Sequence, residues 1–258
     1  MKYTSVFGIV TSLSVIGASA ALTAAPTHAA TFRIGDSDGD WTDILLSNGG
    51  GLNDPTVVTG TASGNERYIG WGNPADTYKS YYSYTGIGTV DIEEDQIFKF
   101  GTFRHYNNPI FNPTAVEVTL DITLNFDIPN VTETFQFTFD HFETPNNLNP
   151  CPAGDTQPCA DIVSVPTINT TNTFVYDGHE YSLQFVGFSP DDSPTVNDPN
   201  DIELSDLFIS DEYRINTAFL YGKITKGDPV AVPEPTSMLG VMIAAGGGFW
   251  LKRKRDCQ

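Results

Sequence analysis

The chain has 258 residues, 40% of them hydrophobic and 12% aromatic, with a formal net charge of −19. Of its 32 acidic and 13 basic side chains, only Lys2, Lys252, Arg253, Lys254, Arg255 and Asp256 lie in residues 1–30 and 236–258, so the stretch between carries 31 and 8. Such a surface excludes an electrostatic role on nucleic acid or on an anionic membrane, and the aromatic content excludes a disordered acidic chain.

At the N-terminus Lys2 supplies a positive start, and Val6 to Leu22 is a charge-free run of apolar and small residues. Ala18-Ser19-Ala20 and Thr27-His28-Ala29 both suit signal peptidase. Residues 1–30 are therefore expected to be a signal peptide, carried by the Sec machinery and removed. The alternative is a membrane helix that stays, but no basic stop follows the run.

Asp36-Ser37-Asp38-Gly39-Asp40 comes next. Read as a glycine-containing loop, its aspartates Asp36, Asp38 and Asp40 could wrap oxygen ligands around Ca²⁺. It departs from the EF-hand pattern, with glycine in the fourth place and Ser47 in the twelfth. A solvated acidic turn is the other reading.

From there the period is two. Val57–Thr61, Tyr68–Trp71, Tyr81–Tyr84 and Gln96–Phe103 are candidate strands. The clearest is the set Val116, Val118, Leu120, Ile122, Leu124, Phe126, opposite Glu117, Thr119, Asp121, Thr123 and Asn125. After a turn at Asp127 to Asn130, Phe135, Phe137 and Phe139 continue the alternation, so the pair reads as a hairpin with one buried and one wet face. Asp161–Val165, Thr173–Tyr176 and the set Tyr181, Leu183, Phe185 follow. In the last stretch, Tyr213–Thr225, Ile215, Thr217, Phe219 and Tyr221 share a phase. Asp191 to Asp206 reads as an acidic surface loop. Many short strands with Gly, Pro and Asn punctuation predict an all-β antiparallel sandwich, jelly-roll-like, over residues 31–228. Between two such strands, Cys151 and Cys159 bracket a short segment. A loop disulfide is expected in an oxidising compartment; two free thiols are the alternative.

The C-terminus opens with Val232-Pro233-Glu234-Pro235, continues as the charge-free Thr236–Leu251, and ends on Lys252-Arg253-Lys254-Arg255. The two prolines hold the motif extended. A helix over 236–251 would reach about 24 Å at about 1.5 Å per residue, a little short of a bilayer core of about 30 Å. The basic run holds its end on the cytoplasmic side. An ordinary anchor would look similar. Motif, apolar run and basic end in this order resemble the PEP-CTERM sorting tail of exported bacterial proteins, here spanning 229–258. The resemblance implies processing by an exosortase, a transient stay in the inner membrane, and delivery to the outer surface or beyond, in a setting of exopolysaccharide production.

A second resemblance covers roughly residues 65–225. Trp71-Gly72-Asn73-Pro74, Gly101-Thr102-Phe103-Arg104-His105-Tyr106-Asn107-Asn108-Pro109-Ile110 and Phe137-Thr138-Phe139-Asp140-His141-Phe142-Glu143-Thr144-Pro145-Asn146-Asn147 are its longest pieces. Ala160-Asp161-Ile162-Val163, Phe185-Val186-Gly187-Phe188 and Leu220-Tyr221-Gly222 complete it. These segments resemble the choice-of-anchor K domain, a β-rich module of bacterial surface proteins. The resemblance implies export, a β-fold and surface display, and brings no activity.

In strand geometry His105 and Asn107 share a face, as do His141 and Glu143. His141 also keeps phase with Phe135, Phe137 and Phe139, and His179 with Tyr181. Meeting at one end of a sandwich, they could bind a metal or sugar hydroxyls, with Asp161 a possible addition; otherwise they cap strands and hold loops. Trp41, Trp71, Tyr78, Tyr81, Tyr82 and Tyr84 could stack on sugar rings or simply fill a sheet. No Gly-x-Ser-x-Gly elbow or His-Glu-x-x-His run is present. The expectation is a non-enzymatic exported module binding polysaccharide, calcium or both. A secreted carbohydrate-active hydrolase and a structural matrix component without a specific ligand are the alternatives.

Overall fold

Alternating apolar residues at this density fold into strands, and the computed structural model is all-β over the residues it describes, 29–165 and 173–229. The residues of 1–28 and 230–258, with Val232, Pro233, Glu234, Pro235 and the run Lys252 to Arg255, lie outside these bounds. In chain order the strands are β1 (Thr31–Leu46), β2 (Val58–Thr61), β3 (Arg67–Trp71), β4 (Asn73–Pro74), β5 (Ser80–Gly86), β6 (Val90–Glu93), β7 (Ile97–Asn107) and β8 (Ile110–Phe111). They continue as β9 (Ala115–Ile128), β10 (Val131–Phe142), β11 (Asp161–Ser164), β12 (Thr173–Tyr176), β13 (His179–Ser189), β14 (Thr195–Val196), β15 (Leu207–Ser210) and β16 (Arg214–Pro229). Among the described residues no helix is long and apolar enough to cross a membrane.

Two antiparallel sheets carry the fold. One runs β15-β11-β10-β9-β1-β6; the other runs β12-β13-β16-β7-β5-β3-β2, with β14 beside β7 and β4-β8 as a small separate ribbon. They pack face to face through aromatic rings. Phe103 of β7 stacks on Phe139 of β10 with centroids 5.0 Å apart, and Phe100 stacks on Phe137 at 5.5 Å. Val118, Leu120, Ile122, Leu124 and Phe126 join the same core, as the alternation predicts. Each such side chain removed from water contributes roughly 1.5–3 kcal/mol.

Three details depart from the sequence reading. Val116 is exposed and Ala115 is buried instead, because a register shift between Leu45 and Leu46 of β1 moves the phase there. On β16 the inward residues are Ala218, Leu220 and Ile224, while Ile215 faces solvent. The register shift between Leu220 and Tyr221 is taken up on β7, where Phe100 is the extra residue, and Tyr221 keeps the outward phase of Ile215 on the outer side of its sheet. There Ile97 and Val196 pack around it, its hydroxyl sits 2.6 Å from the Asp191 carbonyl, and partly buried Ile202 and Leu204 cover it. The acidic 191–206 segment is thus an outer cover that pairs with β7 through β14, more than a free surface loop.

Cys151 and Cys159 are bonded, with Cα atoms 5.3 Å apart. The chain-entropy estimate for so short a loop is about 2.5 kcal/mol.

Candidate functional site

At one end of the sandwich the buried stripes turn polar. On β7 the inward residues run Phe103, His105, Asn107; on β10 they run Phe135, Phe137, Phe139, His141. Strand periodicity therefore aims two imidazoles into the core, where their rings meet edge to face at 5.3 Å. Trp71 stacks on His105 and meets His141 edge-on. His105 Nε2 is 2.8 Å from Ser80 Oγ. His141 Nδ1 is 2.5 Å from the Tyr82 hydroxyl, and its Nε2 is 3.2 Å from Glu143 Oε2 and 4.0 Å from Asp161 Oδ2. Asp161 Oδ1 accepts a hydrogen bond from the Thr144 backbone N–H. Asn107 donates to the Ser210 carbonyl at 2.8 Å, which ties β7 to β15.

Burial governs the ionisation of this group. It pushes His105 well below the usual imidazole range, with His141 adding to the effect. It lowers His141 as well, against the pull of Asp161. It raises Glu143 and Asp161, and for Asp161 the neighbouring Glu143 and Glu212 raise it further while His141 opposes. Glu212 is pushed up to about 7 by burial, against a nearby Asn146 amide and with Glu143 adding. Two imidazoles disfavoured as cations and three carboxyls reluctant to ionise are gathered at this end.

Several buried atoms there lack a hydrogen-bond partner among the described residues. They are Asp161 Oδ2, both oxygens of Glu212, Asn107 Oδ1, Asn146 Oδ1, Thr144 Oγ1 and His105 Nδ1.

The structure thus brings His105, His141 and Glu143 together with Asp161, and keeps Asn107 beside them. His179 does not join: it pairs with Pro229 on β16, whereas His105 pairs with Asn216 near the other end of that strand. Glu212 has no counterpart in the sequence reading. Its signal was available, since Phe208, Ser210 and Glu212 are all buried at a spacing of two, and the phase of β15 runs on past its end.

The Asp36–Asp40 reading requires correction. The segment is not a loop. It lies inside β1, with Asp36 opposite Asn125, Asp38 opposite Thr123 and Asp40 opposite Asp121. Extended backbone spreads these carboxylates along one face at a spacing of about 7 Å, which is not the wrapped arrangement of a Ca²⁺ loop. Gly39 is no ligand-loop turn either. A Cβ there would stand 2.4 Å from Tyr84 Cδ1, so glycine is what admits the Tyr84 ring.

The same strand contributes to a second, open site. A groove of about 490 Å³ is lined by Asp38, Asp40, Thr59, Arg67, Tyr68 and Asp121, among others. Arg67 Nη2 is 3.1 Å from Asp38 Oδ2. Thr123 and Thr134 share a hydrogen bond at 2.9 Å on its floor, and Gln136 donates to Asp121. Beside it, Tyr68 meets Tyr81 edge to face at 6.0 Å, and Tyr81 stacks on Tyr106 at 4.0 Å. Of the aromatics singled out in the sequence, Trp71, Tyr82 and Tyr84 are fully buried, Trp41 is nearly so but lines this groove, Tyr78 is exposed, and Tyr81 belongs to this row.

Comparison with known protein families gives no matching family model, and comparison with curated proteins gives no match.

Proposed function

We propose that the chain is an exported bacterial surface or extracellular-matrix protein whose jelly-roll-like sandwich is a non-enzymatic polysaccharide-binding module. In this reading residues 1–30 are the signal peptide. Residues 229–258 are the PEP-CTERM tail, with a membrane helix over 236–251 that an exosortase processes. The Cys151–Cys159 disulfide supports an oxidising compartment. The observation that carries the binding half is the groove at Tyr68. Its carboxylates, guanidinium and threonine hydroxyls suit sugar hydroxyls, and half-buried Tyr68, held at the end of the row Tyr68–Tyr81–Tyr106, offers its ring to the groove for stacking.

The hydrolase alternative needs two carboxyls facing each other across a cleft, about 5–10 Å apart. In the groove, Asp40 and Asp121 are cross-strand neighbours on one sheet face, which leaves no place for a sugar between them. At the polar end of the sandwich Asp161 and Glu212 are buried, and of the three carboxyls only Glu143 reaches solvent. Both features favour binding over hydrolysis.

Two measurements test the proposal. In cell fractionation, the native chain is expected to leave the inner membrane shortened, and Pro233→Ala with Pro235→Ala to remain there at full length. Identical location and length for both would defeat the sorting half. In native gels containing polysaccharide, the full chain is expected to be retarded, and Tyr68→Ala to weaken retention about two- to tenfold, since one ring stack is worth about 0.5–1.5 kcal/mol. No retardation on neutral or acidic polysaccharides would leave a structural matrix role alone.

A further inference from the structure

The closed polar end of the sandwich presents an unbalanced charge problem. Asp161 is wholly buried, and its Oδ2 has no hydrogen-bond partner. Glu212 is 6% exposed, and neither of its oxygens has one. Glu143 is largely buried next to them. Among the described residues the only basic group paired with these carboxyls is His141, and no Lys or Arg forms a salt bridge with them. An unpartnered carboxylate in an apolar interior costs several kcal/mol. Three carboxyls at one place, with a single imidazole paired to them, require either retained protons or a cation.

The geometry suits a cation. His141 Nε2, a Glu143 oxygen and an Asp161 oxygen all lie within 4.8 Å of one another. Ligands at about 2.0–2.2 Å from a common ion stand about 3–3.5 Å apart when adjacent and about 4.2 Å apart when opposite. The observed 3.2 Å from His141 Nε2 to Glu143 matches adjacent ligands, the 4.0 Å to Asp161 lies just under the opposite spacing, and with the set spanning up to 4.8 Å a small side-chain movement would close it on the ion. The support behind the ligands has the form metal sites require. With Nε2 on the ion, His141 Nδ1–H would donate to the Tyr82 hydroxyl 2.5 Å away, which sets the tautomer and the ring orientation. Asp161 is held by the Thr144 N–H through its other oxygen, so Oδ2 is the one left to coordinate.

We propose that His141, Glu143 and Asp161, with Glu212 beside them, bind one divalent first-row metal ion, Zn²⁺ or Mn²⁺ in class, as a structural clamp. An imidazole nitrogen with carboxylate oxygens and no thiolate points to this class, and away from Ca²⁺, which takes oxygen ligands. The ligands come from β10, the segment after it, the start of β11 and the turn between β15 and β16. The ion would therefore fasten the β15-β11-β10 edge of one sheet to the first residues of β16 in the other, directly after the disulfide loop. Burial of His141, Asp161 and Glu212, with only Glu143 at the rim, fits a structural ion.

The test uses the full chain in detergent, stripped with a chelator and titrated separately with Zn²⁺, Mn²⁺ and Ca²⁺, reading thermal midpoint and bound metal per chain. Zn²⁺ or Mn²⁺ is expected to bind at one ion per chain and to raise the midpoint by about 5–10 °C at a hundredfold excess over its Kd. Asp161→Asn keeps the acceptor for Thr144 and removes the charge. It is expected to fold without metal and to lose the rise. If it does not fold, Glu143→Gln, whose side chain reaches the rim, is expected to lose the rise in its place. No rise and no bound ion in the native chain would overturn the proposal and leave a network that holds its protons. A rise with Ca²⁺ alone would overturn the assigned class. A full rise retained in the folded variant would put the ion elsewhere and overturn the site.

Discussion

Replacing Phe103 by alanine is expected to cost about 3–5 kcal/mol. The ring has no exposed surface and stands at the centre of the contact between the two sheets. It stacks on Phe139 at 5.0 Å and meets Tyr82 at 4.7 Å, Phe208 at 5.5 Å and Phe188 at 6.0 Å. These partners come from strands of both sheets, fixed by their own hydrogen-bond ladders, so the lining cannot collapse to fill the space. The loss combines transfer of the ring with the cavity it leaves. Against a total stability of about 5–15 kcal/mol for a domain, that is a large fraction. A chain of this size should show a midpoint lower by about 6–20 °C. Urea or thermal unfolding measures it. Phe142→Ala, on a side chain 52% exposed, should stay within about 0.5 kcal/mol. A Phe103→Ala cost near that of Phe142→Ala would mean that the sheets do not pack through this ring.

Gly86→Ala is expected to be comparably severe, at about 3 kcal/mol or more, for a different reason. A Cβ at Gly86 would stand 1.8 Å from the Ser37 carbonyl oxygen and 2.6 Å from its carbon. Both are backbone atoms of β1, so no rotamer change relieves the clash. Ser37 cannot retreat freely. Its N–H donates to the Ile87 carbonyl at 3.0 Å, its hydroxyl accepts from the Ile87 N–H at 2.8 Å, and the same hydroxyl donates to the Phe100 carbonyl at 2.9 Å. These bonds join the edge of one sheet to the other in a buried place, and moving β1 breaks them together. Gly88→Ala is the control, because a Cβ there meets nothing within 4 Å. It should leave the unfolding midpoint unchanged while Gly86→Ala lowers it. Equal midpoints for the two variants would contradict the close approach of β1 and β5.

These two positions differ in how far they could be read in advance. Phe103 lies in a strand predicted from alternation, and an aromatic on the inward phase of such a strand is buried in nearly any sandwich. Nothing in the local sequence separates Gly86 from Gly88. What distinguishes them is the distance to a strand almost fifty residues earlier in the chain. The Asp36–Asp40 segment shows the same limit from the other side. Its composition is that of a calcium loop, but pairing with β9 drew it into an extended strand, and the strand spread its carboxylates apart.

The chain's own residues were enough to establish an all-β antiparallel protein, the hairpin of β9 and β10 and the inward phase of His141, and to point to the cysteine pair. All of these depend on period and spacing within a few residues of each other. Tertiary structure alone decided that His105 and His141 meet, that Asp161 joins them, and that Glu212 reaches the same place from the turn before β16. It also decided that the β1 aspartates line an open groove with Tyr68. Those outcomes depend on which strands are neighbours and in what register. Register is set by bulges such as the extra residues Val116 on β9 and Phe100 on β7, where a shift of one residue changes the face that the following side chains take.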